Sequence, residues 1–254
     1  MTHRLAAAFL AAFTVSIVQA TPAECTAKSG ASTTALVELY TSEGCDSCPR
    51  ADRWLSSVPA AGFGTARVVP LALHVDYWDY IGWKDPFAKP LFSARQRELA
   101  AIGRNRVVYT PQVVLAGKDF RAWSARTSFA EAVAAVNATP ARAGIELEIA
   151  AGGIRAQASV PRREDREDTA LFVAVYENGL SNRVTAGENR GATLDHDFVV
   201  REWWGPLALD AAGNASLARP VSASPLANGG VAAFVQSRRT GEVLQALALP
   251  ACKG

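Results

Sequence analysis

The chain has 254 residues, is 49% hydrophobic and 20% charged, and carries 26 basic and 24 acidic side chains for a formal net charge of +2. This composition predicts a globular protein with a sizeable core and excludes an intrinsically disordered chain. The near balance of charges gives no electrostatic reason to expect nucleic acid or a membrane surface as a partner.

Residues 1–20 have the form of a secretory signal peptide. A short basic start precedes an apolar run over residues 5–18, and Val18-Gln19-Ala20 offers small or aliphatic residues to a signal peptidase. The apolar run is shorter than the roughly 20 residues that span a bilayer as a helix. We therefore expect a mature periplasmic or secreted protein that begins near Thr21 and has no membrane span. An uncleaved membrane anchor is the alternative.

Residues 35–139 predict alternating strands and helices. Apolar, β-prone runs predict strands over 35–40, 67–75, 112–116 and 120–123, and helical spacing of apolar residues predicts helices over 45–57, 86–102 and 128–137. Because proline is awkward inside a central strand, we expect the second strand to pair only after Pro70. The order β-α-β-α-β-β-α predicts an α/β layer fold.

The sequence pattern changes after Thr139-Pro140. Residues 144–150 and 154–160 alternate between apolar and polar, and further strand candidates cover 170–176, 201–204, 231–236 and 244–249. We predict no helix in this part, because short strands separated by turns favour an antiparallel β-sandwich. The chain is therefore divided into a signal peptide at 1–20, an α/β domain at 21–140 and an all-β domain at 141–254.

Four cysteines follow the predicted cleavage site. An oxidising compartment allows disulfides, and the simplest pairing joins Cys45 to Cys48 and Cys25 to Cys252, at the two ends of the mature chain. The sequence leaves three pairings open. A structural zinc site is not expected, because such a site needs four ligands and there is no second closely spaced cysteine pair.

The Cys45-Asp46-Ser47-Cys48 segment lies between a predicted strand and a predicted helix. A helix N-terminus favours a thiolate, which makes Cys45 the attacking thiol and Cys48 the resolving thiol of a disulfide exchange reaction. Thr110-Pro111 precedes the third strand, where a cis bond would place backbone beside the two sulfurs. Glu38, inside the first strand, is a candidate to accept or relay a proton. This chemistry needs a protein or small thiol or disulfide as substrate, and no cofactor.

Three motifs carry a resemblance to a known family. Residues 37–49, 74–83 and 109–112 resemble the secreted bacterial proteins called DUF1223, of the thioredoxin-like superfamily. The resemblance covers nearly the whole mature chain and implies a thioredoxin-like fold for the first domain. Thioredoxin has Gly-Pro between its cysteines, whereas this chain has Asp46-Ser47, and an acid beside the attacking sulfur disfavours its thiolate. We therefore predict a rather reducing or unreactive pair of cysteines.

The loop after the second strand holds the other candidate site residues. Substrate-binding candidates, called here the rim residues, are Asp76, Trp78 and Asp79, with Thr110 and His74, because α/β sheets bind ligands beyond the carboxyl ends of their strands. An ordinary loop held by aromatic packing is the alternative. His74 is either a core residue or a ligand that binds copper or zinc together with the cysteines. The Asp195-His196-Asp197 cluster is interpreted as a turn entering a strand.

Three functions remain open from the sequence. The first is an exported thiol–disulfide oxidoreductase. The second is a non-catalytic binding or assembly module that keeps Cys45 and Cys48 as a structural disulfide. The third is a periplasmic metal-binding protein that uses Cys45, Cys48 and His74.

Overall fold

The structure of the protein, a computed structural model, describes residues 25–150 and 153–252. The predicted signal peptide lies outside the described residues. Among the described residues, no helix combines the length and the apolar character that crossing a membrane requires.

The described residues form four α-helices, three of them in the first part of the chain. They are α1 (Cys48–Ser57), α2 (Pro90–Ile102), α3 (Arg126–Asn137) and α4 (Ala223–Ala227). Helix α2 begins later than the predicted residue 86, because Lys89 is extended and a residue that precedes proline disfavours the helical conformation. The short α4 was not predicted.

The strands agree closely with the predicted apolar runs, and four strands were not predicted. The strands are β1 (Cys25–Lys28), β2 (Ala35–Thr41), β3 (Val68–His74), β4 (Gln112–Leu115), β5 (Lys118–Asp119), β6 (Gly144–Ala150), β7 (Gly153–Ser159), β8 (Thr169–Glu177), β9 (Leu180–Arg183), β10 (Thr193–His196), β11 (Val199–Ala208), β12 (Asn214–Pro220), β13 (Gly229–Ser237) and β14 (Val243–Pro250). The unpredicted ones are β1, β9, β10 and β12. The strand predicted at 120–123 is wrong: the turn at Ala116-Gly117 pairs Leu115 with Lys118, so β5 starts directly after it.

The first part of the chain forms a sheet in the order β3-β2-β4-β5, with β2 parallel to β3 and β4 antiparallel to β2. Side chains of β2 alternate between the two faces. Val37 and Leu39 pack with α1 and α3, whereas Leu36 and Tyr40 pack with α2. Helices α1 and α3 therefore cover one face of the sheet, and α2 covers the other.

Strands of the second part, joined by β1 from the start of the described chain, form two antiparallel sheets packed face to face, and β9 and β10 pair in a separate two-stranded sheet. Strands β1, β6, β7 and β12 form one sheet, and β14, β13, β8 and β11 form the other. Alternating side chains of β6 and β7, such as Ile145 and Ala156, share a core with Val173 of β8 and Val235 of β13. The disulfide Cys25–Cys252, with a Cα–Cα distance of 5.7 Å, joins the segments at the two ends of the described chain.

One sheet continues through both parts of the chain, because β11 runs parallel to β3 and pairs with it at Val199 and Ala72. The expectation that β3 pairs only after Pro70 is wrong, since Pro70 itself lies opposite Val37 of β2. The Ala72 N–H donates to the carbonyl oxygen of Phe198, the residue before β11. The nitrogen of Pro70 points to the same edge of β3 as that of Ala72. No described strand pairs with that edge at Pro70, so the missing N–H costs the sheet no hydrogen bond.

Candidate functional site

The Cys45–Cys48 disulfide lies in the connection between β2 and α1, with a Cα–Cα distance of 5.4 Å. Cys48 is the first residue of α1, and its N–H donates to the carbonyl oxygen of Cys45 at 3.2 Å. The Ser47 hydroxyl lies 3.4 Å from the Cys45 sulfur. Asp46 and Ser47 are exposed, whereas Cys45 and Cys48 are only 1% and 0% exposed. The two residues between the cysteines are therefore exposed to solvent, whereas the disulfide itself is buried.

Residues 184–192, which connect β9 to β10 and are called here the cover loop, lie over this disulfide. The Asn189 side-chain amide donates to the carbonyl oxygens of Glu43 and Cys45 at 2.8 and 2.9 Å. The Asp46 N–H donates to the Glu188 carboxylate at 3.1 Å. A thiol can attack Cys45 only after these contacts to the cover loop have opened.

Replacing Asn189 by alanine should speed reduction of the Cys45–Cys48 disulfide by dithiothreitol about tenfold, because two hydrogen bonds that close the cover loop are lost, each contributing roughly 0.5–1.5 kcal/mol. The rate is measured by quenching with an alkylating agent and mass spectrometry.

The matched control is Asn137→Ala, since Asn137 also donates two amide hydrogen bonds to backbone carbonyls, those of Thr33 and Arg67, at the far end of α3. It should lower stability without changing the reduction rate. A wild-type rate in Asn189→Ala would show that the cover loop is not the barrier.

The aromatic loop at residues 76–84 contacts the segment before Cys45 from another side. The Trp78 indole N–H donates to the Thr110 hydroxyl at 2.7 Å, next to the Thr110–Pro111 bond, which is cis. A Cβ placed on Gly44 would lie 3.1 Å from the Cβ of Trp78. Trp78 therefore connects the backbone before the disulfide to Thr110, and two of the predicted rim residues are in contact.

The two predicted rim carboxylates hold the aromatic loop in place. The Ser93 hydroxyl donates to the Asp76 carboxylate, and the Asp79 carboxylate accepts the Asp85 N–H at 3.2 Å. Partial burial raises the pKa of the Asp79 carboxyl above its usual value. The role of Asp76 and Asp79 in substrate binding stays a prediction.

Glu38 lies on the sheet face opposite α1, with the side chains of Leu36 and Tyr40. Its two carboxylate oxygens accept from Arg95 of α2 at 2.6 and 3.0 Å, and one also accepts the Tyr40 hydroxyl at 3.2 Å. Glu38 therefore forms a buried ion pair with Arg95. Because α1 lies on the other face of the sheet, this position does not support a role for Glu38 in proton transfer to the cysteines.

A buried polar cluster lies under the disulfide, on the α1 face of the sheet. His74, the last residue of β3, contacts Asp85 through Nδ1 at 2.7 Å, and His196, the last residue of β10, contacts Glu43 through Nε2 at 3.0 Å. Glu43 also accepts from Trp83 and Asn182 at 2.8 and 2.9 Å. His74 is thus buried inside the molecule and not at an exposed rim.

Asp52 of α1 completes this cluster. Its Oδ2 accepts the Thr41 hydroxyl at 3.1 Å. Burial raises the pKa of Asp52, although His196 and His74 oppose the shift. Burial is the largest effect on His74 and would lower its pKa, but the carboxylates of Asp85, Asp52 and Glu43 together raise the pKa. Burial would raise the pKa of Asp85, but His74 and the hydrogen bonds from the Glu43 and Phe87 N–H groups together lower it.

The sequence interpretation missed four members of this cluster, namely Glu43, Asp52, Asp85 and His196. One signal was available for Asp52, because a carboxylate placed between Ala51 and Leu55 on the apolar side of a predicted helix needs a buried partner. For His196 the interpretation as a turn is wrong: it belongs to β10, where buried and exposed residues alternate.

Two grooves of about 650 and 640 Å³ lie away from this cluster. The first lies along β1, β6, β7 and β12, and the second lies between α2 and the β4–β5 hairpin. Neither groove is lined by a cysteine or by a member of the buried polar cluster.

Similarity to a protein family and to solved structures covers most of the chain. The family model described as a protein of unknown function, DUF1223, matches residues 36–236. No curated protein matches the chain. The X-ray structure of a protein from Agrobacterium tumefaciens is similar at 24% identity and a TM-score of 0.67, over 88% of this chain and 96% of that one. HBP35 of Porphyromonas gingivalis is similar at 13% identity and a TM-score of 0.62, over 89% and 79% of the two chains. At these identities the likeness concerns the fold alone.

Proposed function

The chain belongs to the DUF1223 family of proteins of unknown function, and from this premise we propose that it is an exported, thioredoxin-like protein that performs thiol–disulfide exchange at Cys45 and Cys48. The observation that carries the proposal is the position of this disulfide at the start of α1, with Cys45 just before the helix and Cys48 as its first residue. The backbone N–H groups of that turn favour the thiolate that exchange requires. The two disulfides also favour an oxidising compartment, periplasmic or extracellular.

The arrangement around the disulfide supports the thioredoxin-like assignment. The support comes from a parallel β2–β3 pair extended by the antiparallel β4–β5 hairpin, with α1 and α3 on one face and α2 on the other. The cysteines lie at the start of α1, beyond the carboxyl end of β2, which is the edge where α/β sheets bind ligands.

The proposed reaction has two steps. The Cys45 thiolate attacks a disulfide of the substrate, which forms a mixed disulfide and releases one substrate thiolate. The Cys48 thiolate then attacks the Cys45 sulfur, which closes the Cys45–Cys48 disulfide and releases the second thiolate. The substrate gains two electrons and the protein loses two, and a reducing thiol partner reverses both steps on the protein. The Ser47 hydroxyl, 3.4 Å from the Cys45 sulfur, is placed to donate to its thiolate.

A matched pair of variants tests this order of steps with oxidised glutathione as the substrate. Reduced Cys48→Ser should accumulate a mixed disulfide with glutathione on Cys45, because the resolving thiol is missing. Reduced Cys45→Ser should react at least about 100-fold more slowly, because the thiolate favoured by the helix start is absent. Mass spectrometry after acid quenching measures both, and circular dichroism checks that both variants fold.

Equal reactivity of the two variants would contradict the roles assigned to Cys45 and Cys48. A glutathione titration of the unaltered protein measures the reduction potential of the Cys45–Cys48 disulfide. A value between about −270 and −120 mV is that of an exchange catalyst, whereas a disulfide that resists reduction well below about −300 mV is structural.

Burial of both sulfurs favours a second candidate function, a binding or assembly module with a permanent Cys45–Cys48 disulfide. In that case the cover loop is part of a fixed surface and does not open. The potential measurement separates this candidate from the first.

A further inference from the structure

We propose that Asp52, His74 and His196 bind one first-row divalent transition-metal cation, with Zn²⁺ as the reference ion. Each of the three side chains offers one ligand atom, and these atoms lie within 4.8 Å of one another. Two imidazole nitrogens and one carboxylate oxygen are the donor types that zinc and its neighbours in the first row prefer.

The three residues come from elements that are distant in sequence and are all buried. Asp52 lies on α1, while His74 and His196 end β3 and β10. Burial on separate elements limits the range over which the three ligand side chains can move.

The hydrogen bonds around the two histidines direct their free nitrogens. Asp85 holds Nδ1 of His74, and Glu43 holds Nε2 of His196. The atoms left without a hydrogen-bond partner among the described residues include His74 Nε2, His196 Nδ1 and Asp52 Oδ1. A carboxylate behind each ligating imidazole is the arrangement that orients histidines toward metals in proteins.

A cation fits this group of atoms better than a water molecule does. In the neutral form that metal ligation requires, each imidazole has its other nitrogen donating to a carboxylate and presents a lone pair, and the ionised Asp52 Oδ1 is an acceptor as well. A water molecule has two hydrogens and satisfies two of the three acceptors, whereas one cation satisfies all three. A divalent charge also offsets the buried carboxylates of Asp52, Glu43 and Asp85, which are costly to bury without a counter-charge.

Zinc ligands at 2.0–2.2 Å from the ion lie roughly 3.3 Å apart in tetrahedral geometry. The separations between the ligand atoms, now up to 4.8 Å, therefore shrink by up to about 1.5 Å on binding, through changes in side-chain torsions. Three protein ligands leave at least one coordination position for water or another small ligand.

The test titrates the oxidised protein, without a histidine tag, with Zn²⁺ by calorimetry and with Co²⁺ by absorption spectroscopy. We expect one ion per chain and cobalt ligand-field bands without a sulfur charge-transfer band. Asp52→Asn, His74→Gln and His196→Gln should each weaken binding at least about 100-fold, since loss even of an outer-shell partner costs 10–100-fold. Asp195→Asn, an exposed carboxylate beside His196, should change the affinity less than threefold.

Two controls keep the test decisive. The double variant Cys45→Ser, Cys48→Ser should retain full metal binding, because no sulfur belongs to the proposed site. Asp52→Asn keeps an oxygen that accepts from Thr41, so its fold is preserved even if a histidine variant unfolds. The proposal is overturned if the folded protein binds no stoichiometric ion, if Asp52→Asn binds with unchanged affinity, or if the cysteine variant loses the metal.

Discussion

Arg95→Met should destabilise the protein by about 3–5 kcal/mol, the range found when one partner of a buried ion pair is removed. Arg95 is 6% exposed and Glu38 is 0% exposed. The guanidinium makes two hydrogen bonds to Glu38 and one to Gln236 of β13. Methionine fills much of the same volume but leaves the Glu38 carboxylate buried without its counter-charge.

The matched control is the double variant Glu38→Gln, Arg95→Met. It removes both charges, so most of the lost stability should return, and a double-mutant cycle by urea unfolding gives the coupling energy. A loss below about 1 kcal/mol in Arg95→Met, the size seen for exposed ion pairs, would show that this ion pair is not essential to the core.

Arg95 has this weight because it connects the two parts of the chain. Its guanidinium carbon lies 5.0 Å from the ring centroids of Phe172, Trp203 and Phe234, on β8, β11 and β13. Glu38 lies on β2, in the other part of the large sheet. Within the described residues, β3 and β11 pair at one position only, Ala72 with Val199. The α2 helix and its arginine therefore supply much of the contact that this short β-ladder does not.

The elements that local pattern determines were predictable from the sequence. Residues 144–150 alternate strictly, and β6 has the predicted bounds. The buried runs behind β2, β3, β8 and β13 also gave strands, because four to nine consecutive apolar residues are typical of a strand buried on both faces. The pairing of Cys25 with Cys252 was the simplest of three pairings that the sequence left open, because domain ends often lie close together.

The buried polar cluster was not predictable in the same way. His196 reaches Asp52 and His74 only because β10 packs against α1, a contact between distant parts of the chain that no local period encodes. The face to which Glu38 points was also open, since alternation along β2 separates two faces without saying which one α1 covers. The burial of Cys45 under the cover loop was not predictable for the same reason, because Asn189 lies far from Cys45 in sequence.

Removing the Cys25–Cys252 disulfide in the double variant Cys25→Ala, Cys252→Ala should lower the free energy of unfolding by about 2–5 kcal/mol. The bond spans a sequence separation of 227, for which the chain-entropy relation gives an upper value of about 5 kcal/mol. Thermal unfolding followed by circular dichroism should show a Tm lower by roughly 5–15 °C. Cys25 begins β1, which pairs with β6, so the variant also frees an edge strand of the sandwich.

Cys45→Ala, Cys48→Ala is the matched control, because it also removes one disulfide and two sulfurs. Its bond closes a sequence separation of only 3, for which the same relation gives about 2 kcal/mol. A larger loss in Cys25→Ala, Cys252→Ala than in this control is therefore the expected order. The reverse order would mean that the Cys45–Cys48 disulfide stabilises the folded state through its packing under the cover loop, and that would favour the structural role of this disulfide over exchange.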